Sequence, residues 1–560
     1  LALPLAIAVI IALPVLVVIL LALAGSGEDW PHLLANVVPR STTTTVFLCL
    51  AVTVSTAVIG TGAAAATTLL DFPGRRLLSW LLILPVAMPP WLVAYALVEF
   101  LSFTGPPQTL LRSVFGWTSA RDYWFPDIRS TGGAAFILSI VLYPYVYLAV
   151  RVVFSMQGRV LGDAARSLGA GPWAMFTTVM LPVARPAIAG GVILVLMETL
   201  NDIAVAEYLG VRTLTFAVYS TWLNRGSLAG ATQIAMVLLV FVVALVLAER
   251  QTRRDRRFDS RRAVHMHAPQ VRKRLAPLTG WLVSGLCVLP VVLATLLPVS
   301  IIADFAAQRI GSAFDDRLAG ALVNSVAVAT VTASLTIMVA LLLLVLARAH
   351  RSPFNRIAVR AAGFGYALPG TVLGLGLLYA LSSFDNIVDS AVRATLGMSS
   401  GLLLTGSGFA VVLACSIRFM ALAIGNLEAG FEKLPHDIDD APRTLGRTRR
   451  QALAEVVMPL MKPALGTAFV LVFVDTMKEL SATILLRPFG FDTLATLVYE
   501  NASRGAVEDG SLAALLIMIV SLAPVFLLHR VLIAPNTLSD AAKKTPPGEE
   551  ALKGSAVRGR

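Results

Sequence analysis

Long blocks of Leu, Val, Ala and Ile, broken by short polar stretches, run along almost the whole chain. Each block is about 20 residues or longer, enough for an α-helix to cross ~30 Å of hydrocarbon at about 1.5 Å per residue. Helices satisfy their own backbone groups in lipid, whereas a spanning β-barrel would alternate apolar and polar residues in shorter segments. The pattern predicts twelve spans. Six lie near 1–24, 43–70, 77–101, 133–157, 184–208 and 230–249, and six near 278–304, 320–347, 357–382, 403–426, 461–486 and 511–533. The expected fold is an all-α polytopic membrane protein in two halves, 1–249 and 275–535. A basic linker at 250–274 joins them, and a disordered tail at 536–560 follows. The block at 1–24 is too long for a signal-peptide core and is read as a span. Because the chain opens on Leu1 rather than Met, a few upstream residues are expected.

Composition agrees: 57% of the 560 residues are hydrophobic and 14% are charged. The formal net charge of +12 is concentrated between the spans. The linker holds Arg253, Arg254, Arg256, Arg257, Arg261, Arg262, Arg272, Lys273 and Arg274. Between two membrane halves, such a run reads as a cytoplasmic connection rather than a nucleic-acid tail. The positive-inside rule then puts Arg75, Arg76, Arg348, Arg356, Arg443, Arg450, Lys543 and Lys544 on the same side. Loops near Glu28, Asp315 and Glu508 fall outside, and an even number of spans puts both termini in the cytoplasm. Cys49, Cys287 and Cys415 sit singly in apolar stretches and suggest neither a disulfide framework nor a zinc site.

The two halves repeat one another. DAARSLGAGPWAMFTTVMLP begins at Asp163 and DAPRTLGRTRRQALAEVVMP at Asp440, each just before an apolar block. Beyond this insert, Glu198, Thr199 and Asp202 match Asp475, Thr476 and Glu479 at the same offset. After a three-residue shift, Thr213, Leu214, Val218 and Tyr219 match Thr493, Leu494, Val498 and Tyr499. Duplicated halves with the path between them are a common way to build a transporter.

Each insert is expected to form a short helix outside the bilayer. Asp163 or Asp440 suits its N-terminal end, and Gly169 or Gly446 suits its stop, since glycine takes left-handed backbone cheaply. Pro172 is placed to start a second helix, and Pro182 and Pro459 mark entry to the next span. Two equivalent grips imply a partner with two-fold symmetry. The pattern resembles the cytoplasmic loop of ATP-binding-cassette importer permeases: Glu-Ala-Ala, three residues, Gly, nine residues, Ile, one residue, Leu-Pro. The first copy here is Asp163-Ala164-Ala165, Gly169, Val179 and Leu181-Pro182. The second is Asp440-Ala441-Pro442, Gly446, Val456 and Met458-Pro459. Asp replaces Glu in both, Val replaces Ile in both, and Pro442 and Met458 are further departures. The resemblance implies the type I importer permease fold, with these loops as coupling helices docked on two ATPase subunits. The chain has no GxxxxGK[ST] of its own, so it is expected to be a transport subunit and not an enzyme, and to bind no cofactor. ATP and Mg would sit on the partner.

Acids inside spans cost roughly 2.5–3.5 kcal/mol each on insertion scales and are functional suspects. Glu198, Asn201 and Asp202 share a helix face, with Glu207 further along. Asp475 and Glu479 repeat the pair, with Lys478 beside them. One reading is pairing between helices: Lys478 with Glu479 or Asp202, and Arg418 with Asp475. The other is an oxygen-rich path for a hard cation, to which Tyr143, Tyr145, Tyr208 and Tyr219 would add. In it, Glu198, Asp202, Asp475 and Glu479 touch a metal ion transiently. Pro85, Pro89, Pro90 and Pro369 are expected to kink spans three and nine.

ETLNDIAVAEYLGVRT at 198–213, DTMKELSATILLRPFGFDTLATLVYE at 475–500, LYPYVYLAVR at 142–151 and GYALPGTVLGLGLLYA at 365–380 are similar to segments of fused, two-half permeases of ferric-iron importers. That resemblance implies ferric iron as substrate and a periplasmic or lipid-tethered ferric-binding protein as partner. It also implies a place in the bacterial inner membrane. Thiamine, polyamine, sulfate and phosphonate permeases share the architecture, so these substrates stay open. A major-facilitator-type secondary transporter is a rival from another class, with Gly74-Arg75-Arg76 as a look-alike of its loop. It leaves the duplicated Asp-Ala-x-Arg-x-Leu-Gly stretch unexplained. The six histidines, His265 and His267 among them, form no intramembrane ligand set.

Overall fold

The computed structural model describes residues 2–25, 28–167, 171–254, 272–309, 315–349, 352–432 and 448–533, with Gly169, Gly311, Leu434 and Gly446 besides. The described residues are mostly helical. The first half runs α1 (Ala2–Ala24), α2 (Trp30–Leu69), α3 (Arg75–Leu81), α4 (Pro90–Leu101), α5 (Pro106–Phe115) and α6 (Thr131–Ser167). It continues with α7 (Met175–Asn201), α8 (Ala204–Tyr208), α9 (Leu214–Leu223) and α10 (Leu228–Arg254). The second half opens with α11 (Pro277–Arg309), α12 (Asp316–Ala349), α13 (Pro353–Ala362), α14 (Gly370–Leu396) and α15 (Phe409–Glu432). It closes with α16 (Leu453–Met477), α17 (Thr483–Leu486), α18 (Leu494–Ser503) and α19 (Ser511–Ile533). Two residues of β1 (Leu70–Asp71) pair in parallel with two of β2 (Lys273–Arg274).

Ten helices among the described residues are long and apolar enough to cross a membrane. Their outward faces follow helical spacing. On α2, Phe47, Leu50, Val54 and Val58 are exposed while Leu48, Val52 and Thr56 are buried. That is the stripe a span turns toward lipid on one side and protein on the other. The expected third span is not a single helix. The chain between α3 and α4 turns through 98°, with Met88 and Pro89 extended after a 3₁₀ turn at Leu84–Ala87. Pro89 and Pro90 remove two amide donors there, and a residue before proline avoids helical backbone. The ninth also divides, into α13, a 3₁₀ turn at Gly365–Ala367, and α14. The twelfth forms α19, apolar along its described stretch to Leu522.

Among the described residues four helices carry a π-helical turn: Leu33–Val37, Met175–Met180, Val292–Leu296 and Leu453–Val457. Each ends two residues before a proline, Pro39, Pro182, Pro298 or Pro459. A proline lacks its N–H and collides with the carbonyl four residues back, and one wide turn relieves that conflict. Pro186 and Pro463 sit inside α-helix without such a turn.

The sequence halves are not the packing units. α1 packs on α13 and α14 of the second half, and α11 packs on α3 and α4 of the first. A Cβ at Gly376 of α14 would lie 2.2 Å from the Pro14 carbonyl oxygen of α1, so only glycine permits that approach. One core gathers α2, α4 and α6 with α11, α18 and α19. The other gathers α12 to α16 with α1, α9 and α10. Each half thus closes the other. α10 runs to Arg254, into the basic linker expected at 250–274; residues 255–271 and the tail at 536–560 lie outside the described residues.

Candidate functional site

α7 and α16 both stop short. Sequence reading carried these spans to 208 and 486, yet α7 ends at Asn201 and α16 at Met477, and a short helix follows each break. The cause is local. The Val205 amide donates to Asp202 Oδ1 at 2.8 Å, which starts α8. The Ala482 amide donates to Glu479 Oε1 at 2.9 Å. The Thr483 amide and hydroxyl donate to Oε2 at 3.0 and 2.6 Å, which starts α17. Asp202 and Glu479 are equivalent in the repeat, and each accepts a backbone amide near the start of the short helix that follows.

The two breaks face one another across a cavity of about 100 Å³. Glu198, Asn201, Asp202, Asp475, Lys478 and Glu479 all line it, so the structure brings together both copies of the acid motif. Tyr145, Tyr366 and Arg418 line it too. The ion pairing differs from that expected. Arg418 Nη1 holds Glu479 at 2.8 Å rather than Asp475, and both side chains are buried. Lys478 Nζ reaches Asp475 at 2.8 Å, one helical turn away, rather than Glu479 or Asp202. The Tyr366 hydroxyl donates to Glu198. Asn201 Oδ1 is buried and has no hydrogen-bond partner, an orphaned acceptor beside the cavity. The lining holds four carboxylates against two cations. Among the described residues no three of His, Cys, Asp and Glu are grouped to hold a metal ion. The expected set Glu198, Asp202, Asp475 and Glu479 therefore shares one cavity without forming a coordination cage.

Glu207 lies apart from this cavity. It accepts from the Tyr499 hydroxyl, and Tyr499 meets Tyr219 hydroxyl to hydroxyl at 3.1 Å. Tyr219 and Tyr499 are repeat equivalents, so this contact joins the halves at corresponding points. Of the other tyrosines, Tyr145 lines the cavity. Tyr143 instead donates to the Leu82 carbonyl at 3.0 Å, and Tyr208 packs on Tyr95. Tyr366 went unrecognised in the sequence, although it stands in the GYALPG stretch that breaks span nine.

The inserts are described in part. The first does not start a new helix at Asp163: Asp163, Ala164 and Ala165 continue α6, which ends at Ser167. Gly169 follows with φ +80°, and Gly446 matches it with φ +82°; both are exposed. A Cβ at either would meet nothing within 4 Å, so the left-handed backbone, not space, is what selects glycine. Pro172 begins a short helical turn, and Pro182 and Pro459 follow the π turns of α7 and α16. Asp440, Ala441 and Pro442 lie outside the described residues.

Comparison with known proteins fits this duplicated arrangement. The family model described as "Binding-protein-dependent transport system inner membrane component" matches residues 56–258 and again 337–535. The Fe(3+)-transport system permease protein FbpB 2 of Haemophilus influenzae is 25% identical over 403 residues, 71% of this chain and 76% of that protein. The ferric transport system permease protein FbpB of Actinobacillus pleuropneumoniae is 22% identical over 444 residues, 76% of this chain and 61% of that protein. The molybdenum transport system permease protein ModB of Escherichia coli K12 is 29% identical over 185 residues, 32% of this chain and 77% of that protein. With two matched units that together cover most of its length, this chain is a multi-span membrane protein belonging to the family of inner membrane components of binding-protein-dependent transport systems.

Proposed function

We propose that this chain is the permease subunit of an ATP-binding-cassette importer for ferric iron. In this reading a substrate-binding protein delivers the ion from the periplasm. Two separate ATPase subunits dock on the loops around Asp163, Ala164, Ala165, Gly169 and Pro182, and around Asp440, Ala441, Pro442, Gly446 and Pro459. The chain sits in the bacterial inner membrane with both termini in the cytoplasm, and ATP and Mg belong to the ATPases. The observation that carries the reading is the cavity where Glu198 and Asp475, equivalent in the repeat, converge from α7 and α16.

The cavity chemistry favours a cation. Its carboxylates outnumber its cations, and an oxyanion such as sulfate or molybdate would meet repulsion there. Carboxylate, phenol and amide oxygens suit a hard ion. The cavity of about 100 Å³ has room for several waters or a hydrated ion. With no cage of ligands, the ion is held weakly and released, as a path fed by a binding protein requires. Relatives named as ferric permeases support the same substrate.

The test is reconstitution of the chain with its ATPase and binding protein in vesicles, followed by ATP-dependent entry of labelled ferric iron. Uptake that needs all three components is the expected result. An assembled complex that hydrolyses ATP without moving iron would overturn the substrate and leave thiamine, polyamines and oxyanions to be tried.

A further inference from the structure

A second recess lies away from the path, where the two halves meet at one end of the spans. It is lined by Asp71, Arg75, Arg76, Arg272 and Arg274, with Phe72, Gly74 and Leu77, and measures about 610 Å³. The fused chain builds it. β2, arriving from the linker, pairs with β1 at the end of α2 and so brings Arg272 and Arg274 beside Arg75 and Arg76. Packing fixes the junction: the Ser284 hydroxyl of α11 donates to the Pro73 carbonyl at 2.8 Å. A Cβ at Gly280 would stand 3.1 Å from the Pro73 ring.

The charges in this recess are not balanced. Asp71 serves two arginines, with Arg75 Nε at 3.5 Å and Arg274 Nε at 4.0 Å. Arg75 also donates to the Thr67 carbonyl at 3.2 Å. Among the described residues no carboxylate pairs with Arg76 or Arg272, and Arg272 Nε is buried without a hydrogen-bond partner. Four guanidinium groups around one carboxylate leave a site with excess positive charge and forked donors, which suits a phosphate. The surroundings point to the source of that phosphate. Leu77 of α3 and Leu278, Trp281 and Leu282 of α11 are exposed apolar side chains, on helices that pack together and lead away from the recess. A cationic pocket beside an exposed apolar face that includes an indole matches a phospholipid, with the headgroup in the pocket and acyl chains along the face.

We propose that this recess binds the phosphate of an anionic membrane lipid and uses it to join the two halves where β1 and β2 meet. The docking of an ATPase subunit is a different occupant, and the observed apolar flank favours lipid.

The full chain, purified in neutral detergent, is examined by native mass spectrometry with phosphatidylglycerol or phosphatidylcholine. Retention of phosphatidylglycerol at least tenfold over phosphatidylcholine is expected. Arg76→Gln with Arg274→Gln, both at exposed positions, should abolish that preference. Arg356→Gln with Arg360→Gln, an equal charge change on exposed residues of α13, should leave it intact. Equal loss in both pairs, or no preference between the lipids, would overturn the site as diffuse attraction. Displacement of the lipid by millimolar inorganic phosphate would assign the recess to free phosphate and overturn the lipid. If the Arg76 and Arg274 changes release the ATPase subunit yet keep the lipid preference, the recess is a protein contact and the proposal fails.

Discussion

The intramembrane acids divide by what their oxygens already do. Glu479 receives Arg418 and three donors from Ala482 and Thr483. Asp202 receives the Val205 amide. These are scaffolding contacts; Glu479 is in an ion pair, with Arg418 rather than with the Lys478 that the sequence offered. Removing one member of a buried pair strands the other charge, typically at about 3–5 kcal/mol. Arg418→Leu is therefore expected to lower thermal stability in detergent sharply, read by scanning fluorimetry; an unchanged melting temperature would contradict this role. Glu198 and Asp475 are less committed: among the described residues Glu198 accepts from Tyr366 and Asp475 pairs with Lys478. Glu198→Gln combined with Asp475→Asn is expected to leave folding and complex assembly intact while ferric uptake in vesicles falls at least tenfold. Full uptake by that double variant would remove both residues from the path.

Elements were legible where hydropathy decides them and illegible where capping or backbone clashes do. The block at 184–208 turns apolar again at IAVA after Glu198, Asn201 and Asp202, so hydropathy reads these polar positions as an interruption within one span; in the structure α7 ends there and the Val205 amide donates to Asp202. The same holds for Glu479 in LSATILL. Prolines 85, 89 and 90 announced a kink but not a 98° turn, which depends on where α4 finds its neighbours. Close helix approach was also hidden. Val146 of α6 lies between Gly60 of α2 and Gly191 of α7, where an added Cβ would stand 2.8 Å from its Cβ and 2.7 Å from its Cα. Gly191→Val is expected to destabilise by about 1–3 kcal/mol through overpacking, seen as a lower melting temperature. By contrast Gly169 and Gly446 face open space with left-handed backbone. Gly169→Trp and Gly446→Trp should each cost about 1–2 kcal/mol for the left-handed backbone, leave the complex assembled, and uncouple ATP hydrolysis from uptake by obstructing the proposed docking loop. Coupled uptake at the normal rate in both variants would sink that role for the loops.

At the scale of the whole molecule, the repeat read in the sequence becomes a symmetry of contacts. The Leu214 amide donates to Thr45 of α2 at 2.9 Å, and the Leu494 amide to Ser325 of α12 at 2.7 Å. Each half thus ties its post-break helix, α9 or α18, to its second helix by the same bond. The exchange of α1 and α11 between halves was invisible in the sequence, because hydropathy assigns a span but not the neighbour it packs on. These exchanged helices bind the halves together, and a polar contact at corresponding points joins them as well. Tyr219 and Tyr499 meet there, and Glu207 accepts from Tyr499. Tyr499→Phe deletes both bonds of that closure while keeping the ring. Hydrogen bonds contribute about 0.5–1.5 kcal/mol each, and 1.4 kcal/mol is tenfold in an equilibrium. If opening at Tyr219 and Tyr499 accompanies ATPase closure, Tyr499→Phe should raise ATP hydrolysis without binding protein about five- to tenfold, while Tyr219→Phe, which leaves Glu207 its donor, should raise it less. The reconstituted complex reports this directly. Unchanged basal hydrolysis in Tyr499→Phe would mean that these hydroxyls join the halves without holding the path shut, and the barrier would then have to lie at the cavity between α7 and α16.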